Sequence, residues 1–571
     1  MRYLVLACDF DGTLASDGKV RVETLAALQR LRDSGRKLIL ATGRELKDLL
    51  DIFPAIDLFD RVVAENGGVL YRPASREHKV LGEAPRADFV EALRARKVSP
   101  LSVGHSLVAT WQPSEGVVLD TIRDLGLELQ VIFNKGAVMI LPSGTNKATG
   151  LDAALLELGL SAHNCVGVGD AENDHAFLRL CECGVAVANA LPLVQERADW
   201  VTPARNGDGV IQLIDKLIAG DLADLEARLS RHSILVGTNA QGEEVRLDPY
   251  GTAVLVAGTS GSGKSTFAKS VLESLADQHY QFCIVDPEGD YALLEGGIVL
   301  GDKERAPTVA GALEVLEQPN RNVVVNLLGL GLDERPAFFS RLLAGLQDLR
   351  SRTGRPHWIV VDEAHYLLPA PSDLVSDTLP RTLSGALFIT VHPEHVAPVV
   401  LSFIDVVVAI GRSAGDTLRA FGDAAGARLP RALPATAAPG EAILWRRGAK
   451  AQGPVWIRTH PPKSEHRRHV RKYATGELDE DRSFYFRGPA GQLNLRAQNL
   501  GLFMQLADGV DDETWLHHLK QGDYSRWFRE AIKDDELASE AATVENQAGL
   551  SPMESRALIK AAIERRYTMP S

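Results

Sequence analysis

The nine residues Gly258, Thr259, Ser260, Gly261, Ser262, Gly263, Lys264, Ser265 and Thr266 constrain this chain more than any other stretch. They follow the apolar run Ala253 to Ala257 and precede a helical pattern. A strand, a glycine-rich G-x-x-x-x-G-K-[ST] loop and a helix make the phosphate-binding loop of parallel α/β proteins. Gly258, Gly261 and Gly263 let backbone N–H groups converge on phosphate, and Lys264 reaches the terminal phosphates. Ser265 is then a ligand for Mg²⁺, with Thr266 beside it. ATP is the expected nucleotide. A later apolar strand with a polar tip, Trp358 to Val361, ends in Asp362, Glu363, Ala364 and His365. Asp362 is expected to hold the metal through water and Glu363 to polarise an attacking water, as ATP hydrolysis requires.

The start of the chain repeats the theme of acids at a strand tip. Leu4 to Ala7 is apolar, and Cys8, Asp9, Phe10, Asp11, Gly12, Thr13 and Leu14 follow at once. In open α/β sheets, chemistry sits at the carboxyl ends of strands. Asp9 can attack phosphorus, while Asp11 protonates the leaving oxygen and later deprotonates water. A second apolar run, Lys37 to Ala41, ends in Thr42, Gly43 and Arg44, and Thr42 is the hydroxyl expected to hold phosphoryl oxygens. Lys147, in Ser143 to Leu151, can offset the repulsion of clustered carboxylates. Val166 to Val168 leads into Gly169, Asp170, Ala171, Glu172, Asn173 and Asp174. Mg²⁺ takes few oxygen ligands and keeps its waters, so Asp9, the carbonyl of Asp11 and Asp170 suffice, with Asp174 and Asn173 orienting that shell. Asn66, after a third apolar run, reads equally as a substrate contact or a turn residue.

These four motifs in this order resemble the haloacid dehalogenase superfamily of phosphatases. The resemblance implies an aspartyl-phosphate intermediate on Asp9, Mg²⁺ held by Asp9, Asp11, Asp170 and Asp174, and a small phosphorylated substrate. Residues 84–145 interrupt the alternation with the helix-like Arg86 to Arg96 and Gly116 to Leu125 and the strand-like Leu107 to Trp111 and Ala137 to Leu141. In the Cof-type branch, similar to sucrose-phosphate phosphatases, an α/β cap is inserted there. A cap of that kind excludes water and reads the leaving group.

The second region, residues 233–460, resembles the HerA/FtsK-like ATPases. Phe282 to Val285 closes in Asp286, and Ala386 to Val391 ends near His392, where that family keeps a polar sensor, here Thr390 or His392. Arg412 is a candidate finger toward a neighbour's γ-phosphate, with Arg341, Arg350 and Arg352 as competitors. The resemblance implies DNA as a partner and a homo-oligomer, a hexamer in that family. The N-terminal barrel of HerA helicases is reduced to pieces around Ile234 to Leu247.

With 571 residues the chain exceeds one core, and about three or four domains are expected. The expected order is a Rossmann-like phosphatase core over 1–83 and 146–230, an α/β cap over 84–145, a RecA-like P-loop domain over 233–460, a charged linker over 461–482 and a small all-α domain over 483–571. The linker places the basic Lys463 to Lys472 before the acidic Glu477 to Asp481. In the last region Leu495 to Leu506 reads as helical, His517 and His518 as packing residues, and Ser551 with Glu554 as a capping box. A net charge of −13 argues against a surface coated for nucleic acid. Five cysteines, an odd count without metal-type spacing, suggest reduced thiols in a cytoplasm. The chain start lacks a signal-peptide pattern, and no run reaches the ~18 apolar residues of a membrane span.

The expected protein is thus a Mg²⁺-dependent phosphatase fused to an ATP-hydrolysing motor or switch. Two alternatives are a bifunctional kinase and phosphatase of the polynucleotide end-repair type, against which Glu363 and the cap count, and a nucleotide-regulated assembly scaffold.

Overall fold

A computed structural model describes residues 1–229, 231–370, 383–429, 433–435, 438, 440–447, 453–463, 478, 483–532, 534–547 and 549–567. The chain divides into two compact units, Met1–Gly258 with Val271–His460, and Thr259–Ser270 with Pro461–Ser571.

The first unit opens with β1 (Val5–Asp9), β2 (Lys37–Ala41), β3 (Arg61–Ala64), β4 (Val69–Arg72) and β5 (Glu77–Val80). After an insertion come β10 (Cys165–Gly169), β11 (Cys183–Ala186) and β12 (Trp200–Val201), which complete a sheet of order β12-β11-β10-β1-β2-β3-β4-β5. Every residue of β1 is buried, as a strand covered on both faces requires, and its neighbours β2 and β10 run parallel to it. Helices Val22–Asp33 and Asn206–Gly220 bury Leu28, Leu31, Leu213 and Leu217 in the same core. Because β1, β2 and β10 are parallel, Asp9, Thr42 and Asp170 emerge from one edge of the sheet.

The insertion is a four-stranded antiparallel sheet, β6 (Ser102–Val103), β7 (Val108–Trp111), β8 (Leu129–Asn134) and β9 (Ala137–Pro142), in the order β6-β7-β9-β8. Helices Ala87–Ala95 and Glu115–Asp124 cover it, and Phe89, Leu93, Val118, Val138 and Ile140 form its own small core. Lys135 and Gly136 turn the chain between β8 and β9.

The same unit contains an eleven-stranded sheet. In chain order its strands are β13 (Ile234–Asn239), β14 (Glu244–Leu247), β15 (Ala253–Ala257), β16 (Phe282–Asp286), β17 (Gly297–Leu300) and β18 (Asn322–Asn326), followed by β19 (Trp358–Val361), β20 (Ala386–Thr390), β21 (Val406–Ile410), β22 (Glu441–Arg446) and β23 (Val455–Thr459). The spatial order is β14-β13-β23-β22-β21-β15-β20-β19-β16-β18-β17. From β21 to β17 every pairing is parallel, so β15, β20, β19 and β16 finish on one edge. The segment around Ile234 to Leu247 is an antiparallel hairpin that extends this sheet through β23.

In the second unit, β24 (Phe484–Phe486) and β25 (Leu495–Ala497) form an antiparallel hairpin ahead of helices Leu500–Gly509, Asp512–Gln521, Asp523–Trp527, Asp535–Asn546 and Pro552–Arg566. The expected helix from Leu495 therefore starts at Leu500 instead. Leu495 to Ala497 pair with the aromatic strand, and Asn499 caps the helix by accepting from the Leu502 N–H at 2.7 Å. Phe484, Phe486, Phe503, Trp515, Tyr524 and Trp527 share one core. His518 is buried beside them, with Nδ1 2.7 Å from Asp523 and Nε2 accepting from the Arg487 N–H. Ser551 and Glu554 form a capping box. The charge-block residues 464–477 and 479–482 lie outside the described residues. All five cysteines are free and buried, and no helix among the described residues is long and apolar enough to cross a membrane.

Candidate functional site

At the tips of β1 and β10, the carboxylates of Asp9, Asp170 and Asp174 lie within 4.8 Å of one another, all buried. Lys147, at the first turn of helix Lys147–Glu157, donates from Nζ to Asp9 Oδ1 and Asp174 Oδ1, each at 2.6 Å. Asn146 sets that lysine in place by capping the helix through the N–H groups of Ala148 and Thr149. Asp174 turns its other oxygen to the N–H groups of Asp170 and Ala171, at 2.7 and 2.9 Å. It thereby orients the loop that carries Asp170.

One ammonium between two buried carboxylates leaves negative charge in a poorly solvated place. Burial first, and then the neighbouring Asp174, push the Asp9 carboxyl up to about 8 against the pull of Lys147. Burial also raises Asp170, opposed by Lys135. On Lys147, burial acts downward but Asp174 and Asp9 outweigh it, so the ammonium is held above its ordinary value. A hard divalent cation removes the same imbalance, and oxygen-only donors at this spacing fit Mg²⁺. Gly12 keeps the space open. Its φ of +87° is left-handed, and a Cβ there would strike Asp170 Oδ2 and come within 2.6 Å of Lys135 Nζ.

Asp11 points elsewhere than the carboxylate cluster. Its oxygens accept from Arg44 Nε and Nη2 at 2.6 and 2.8 Å, a bidentate pair, and Arg44 also binds Asp48 at 2.6 Å. Thr42 is buried, and its hydroxyl accepts from the Arg44 N–H at 3.1 Å. Asn66 sits at φ +51° and its side-chain oxygen accepts from Asn173 at 3.1 Å, so the two amides meet.

Three further residues reach the cluster without having been singled out in sequence. Lys135, from the insertion, donates from Nζ to Asp170 Oδ2 at 2.6 Å and lies 3.4 Å from the Asp11 carbonyl oxygen. Asn189 donates to the Gly12 carbonyl at 2.7 Å. Thr13 donates to Asp170 Oδ1 at 3.3 Å. Two more contacts bring the insertion onto the core. A Cβ on Gly43 would strike Met139, and Glu65 accepts from the Ser106 N–H at 2.9 Å with His105 Nδ1 at 3.0 Å.

The second set of residues divides between the two units. In Thr259–Ser270, the loop turns at Gly261 (φ +76°) and Gly263 (φ +105°), conformations that favour glycine. The Ser262 N–H and Lys264 Nζ both donate to the Thr259 carbonyl, each at 3.1 Å, and the helix holding Ser265 and Thr266 starts at Lys264. In the other unit, β19 delivers Asp362, buried and accepting from the Glu363 N–H at 3.0 Å. Burial, then Glu363 and Asp286, hold Asp362 well above the usual carboxylate range. Glu363 has φ +42° and lies 3.4 Å from His365 Nδ1. Thr390, at the tip of β20, lies 3.1 Å from that nitrogen and accepts from the His392 N–H at 3.1 Å. Among the arginines considered as fingers, Arg412, Arg341 and Arg352 are exposed. Arg350 instead donates to the carbonyls of Pro356, His357 and Ser384.

Comparison with known proteins matches two stretches of the chain. The haloacid dehalogenase-like hydrolase family matches residues 6–101 and 124–214, and the central domain of helicase HerA matches residues 236–338. A phosphoglycolate phosphatase of Methanothermobacter thermautotrophicus is 31% identical over 223 residues, which is 98% of its length and 37% of this chain. Phosphoglycolate phosphatase 2 of Saccharolobus solfataricus is 31% identical over 224 residues, 94% of its length and 38% of this chain. A haloacid dehalogenase-like hydrolase of Bacteroides thetaiotaomicron superposes with a TM-score of 0.34 at 20% identity, over 38% of this chain and 99% of that one. The aspartate cluster is consistent with aspartyl-phosphate chemistry and Mg²⁺, and the P-loop with ATP. Through its N-terminal part the chain belongs to the haloacid dehalogenase-like hydrolases, and it carries, fused behind that part, a HerA-type P-loop ATPase domain.

Proposed function

We propose that the N-terminal part hydrolyses a small phosphomonoester through a phosphorylated Asp9. The observation that carries this reading is Lys147 bridging Asp9 and Asp174 beside Asp170, because it fixes Asp9 at the strand tip and offsets only part of the cluster's negative charge, leaving the rest for a cation. In the first half-reaction an Asp9 oxygen attacks phosphorus, the ester oxygen leaves with the bond electrons, and Asp11 gives that oxygen its proton. In the second, water attacks the acyl phosphate and Asp11 takes the proton back. Asp9, Asp170 and the Asp11 carbonyl, with Asp174 behind them, would hold Mg²⁺, which would supply positive charge for the phosphoryl oxygens. Thr42 positions those oxygens. Arg44 must release Asp11 for the proton transfer, and an anionic substrate gives the guanidinium another partner.

The relatives' names favour a small phosphorylated acid such as phosphoglycolate over the wider range of sugar phosphates and nucleotides. The deciding experiment is phosphate release by the full chain with Mg²⁺ from 2-phosphoglycolate, sugar phosphates, nucleotides and phosphorylated DNA ends, for wild type and Asp9→Asn. Equal release by both proteins on every compound defeats the assignment.

The second engine is proposed to bind ATP with Gly258, Gly261, Gly263, Lys264, Ser265 and Thr266, with Asp362 supporting Mg²⁺ and Glu363 activating water. Asp362, buried at the tip of β19 and held above the usual carboxylate range, supports this reading. Action on DNA and a hexameric ring extend the HerA likeness. ATP turnover measured with and without duplex DNA, alongside mass determination in solution, tests both.

A further inference from the structure

Away from both sets of residues, two histidines and a glutamate meet in the first unit. His163 precedes β10, Glu182 precedes β11, and His232 lies in the segment leading to β13. Their side chains are 4, 15 and 0% exposed for His163, His232 and Glu182. One ring nitrogen of each histidine and a Glu182 oxygen lie within 4.8 Å of one another. We propose that these three residues bind one late first-row divalent cation of the Zn²⁺ class.

The argument rests on where the other ring nitrogens point. His163 Nε2 is 2.6 Å from the Gln278 carbonyl oxygen, so it carries a proton and leaves Nδ1 as the nitrogen facing Glu182. The His232 Nε2 is buried without a hydrogen-bond partner among the described residues and faces the same Glu182 oxygen. Metal-binding histidines are oriented as His163 is, by an N–H given to a carbonyl behind the ring. A tetrahedral Zn²⁺ with bonds of about 2.0–2.1 Å sets donor atoms roughly 3.3 Å apart. The distances from Glu182 Oε2 are 2.7 Å to His163 Nδ1 and 3.9 Å to His232 Nε2, on either side of that spacing.

Charge decides what occupies the site without metal. His163 faces two acceptors, the Glu182 carboxylate and the Gln278 carbonyl, so both of its nitrogens are protonated. Cation entry displaces one proton from Nδ1, forms the metal–nitrogen bond there, and raises the local charge by only one. Arg2 already engages the other Glu182 oxygen at 2.7 Å, and the Tyr280 hydroxyl donates to Oε2 at 3.2 Å while its ring stacks on His163 at 3.6 Å. His357 packs edge-on to His163 at 5.3 Å. Two imidazoles and one carboxylate favour Zn²⁺, Co²⁺ or Ni²⁺ over Mg²⁺. Gln278 and Tyr280 flank β16 of the eleven-stranded sheet, whereas His163 and Glu182 flank strands of the eight-stranded one, so the cation would fasten one sheet's periphery to the other.

The test uses the full chain carrying Asp170→Asn, which disables the oxygen-only cluster, after chelator treatment. Titration with Co²⁺ is expected to give strong visible d–d bands that saturate at about one equivalent, with one proton released per metal in calorimetry across buffers. Zn²⁺ X-ray absorption is expected to show scattering from two imidazoles. His232→Ala should weaken binding by roughly 100-fold or more. His232→Cys keeps a ligand and should add a thiolate-to-Co²⁺ charge-transfer band, so it decides the matter if the alanine variant does not fold. Absent d–d bands, purely oxygen scattering around Zn²⁺, or unchanged affinity in His232→Ala overturns the site.

Discussion

Lys135 Nζ lies 2.6 Å from Asp170 Oδ2 and 3.4 Å from the carbonyl oxygen of Asp11, so an ammonium from the inserted domain stands against two oxygens proposed to hold Mg²⁺. Lysine and metal compete for the same negative charge. Lys135→Met is expected to tighten Mn²⁺ binding by about tenfold, corresponding to ~1.4 kcal/mol. Electron paramagnetic resonance titration of free Mn²⁺ measures it. Weaker binding in the variant would mean that Lys135 organises the site.

Asp9 gives a pH prediction with a definite sign. Burial and Asp174 raise its folded value to about 8, so between its unfolded value and pH 8 the metal-free folded state holds more protons than the unfolded one. Stability in chelator therefore falls as pH rises through that window. Asp9→Asn removes the slope and is expected to be the more stable protein at pH 8, with the advantage shrinking toward pH 5. Urea unfolding at the two pH values, with and without Mg²⁺, reads this directly. Saturating Mg²⁺ should abolish the difference.

Glu182 behaves oppositely. Burial acts to raise it, but the His163 hydrogen bond and charge, with His232 and Arg2, bring it down to about 2. A depressed acid stabilises the fold above its unfolded value, and that stabilisation is lost as pH falls from about 4.5 toward 2. The loss is on the order of 3 kcal/mol. Glu182→Gln should be less stable than wild type at pH 6, and the gap should shrink to roughly a quarter of that by pH 2.5. Parallel acid-unfolding curves for the two proteins would contradict the pairing.

The two engines are expected to separate by mutation. Lys264→Ala should abolish nucleotide binding, while Glu363→Gln should retain it and slow hydrolysis by about 10²–10⁴-fold. Neither should change phosphate release from a small phosphomonoester by more than about twofold. Lys147→Met should do the reverse. It leaves two buried carboxylates unpaired, at a cost of about 3–5 kcal/mol in chelator, and stops phosphate release. Fluorescent nucleotide binding, ATPase rate and thermal unfolding distinguish the three variants.

Much of this architecture was written locally. Apolar runs that stop at Asp9, Thr42, Asp170 and Asp362 declare buried parallel strands, because only a strand covered on both faces stays apolar throughout and becomes polar at its tip. Gly258 to Thr266 mark a P-loop by their spacing alone. Even the capping box at Ser551 was legible, since its partners lie three residues apart. Where a local pattern was ambiguous, it misled. Leu495 to Ala497 suit a helix as well as a strand, and pairing with Phe484 to Phe486 made them a strand.

Only the tertiary structure brought Lys135 to Asp170, tied Asp11 to Arg44, and set His163 between Glu182 and Gln278. A lysine in a hairpin and a histidine before a strand carry no local mark of their partners. Spacing along a chain encodes a helix face or a strand tip, whereas the charge a side chain meets depends on which distant element packs against it. Strand tips were therefore legible in the sequence, because an apolar run and its polar end are local, and the pairing of the charges around them was decided by the fold.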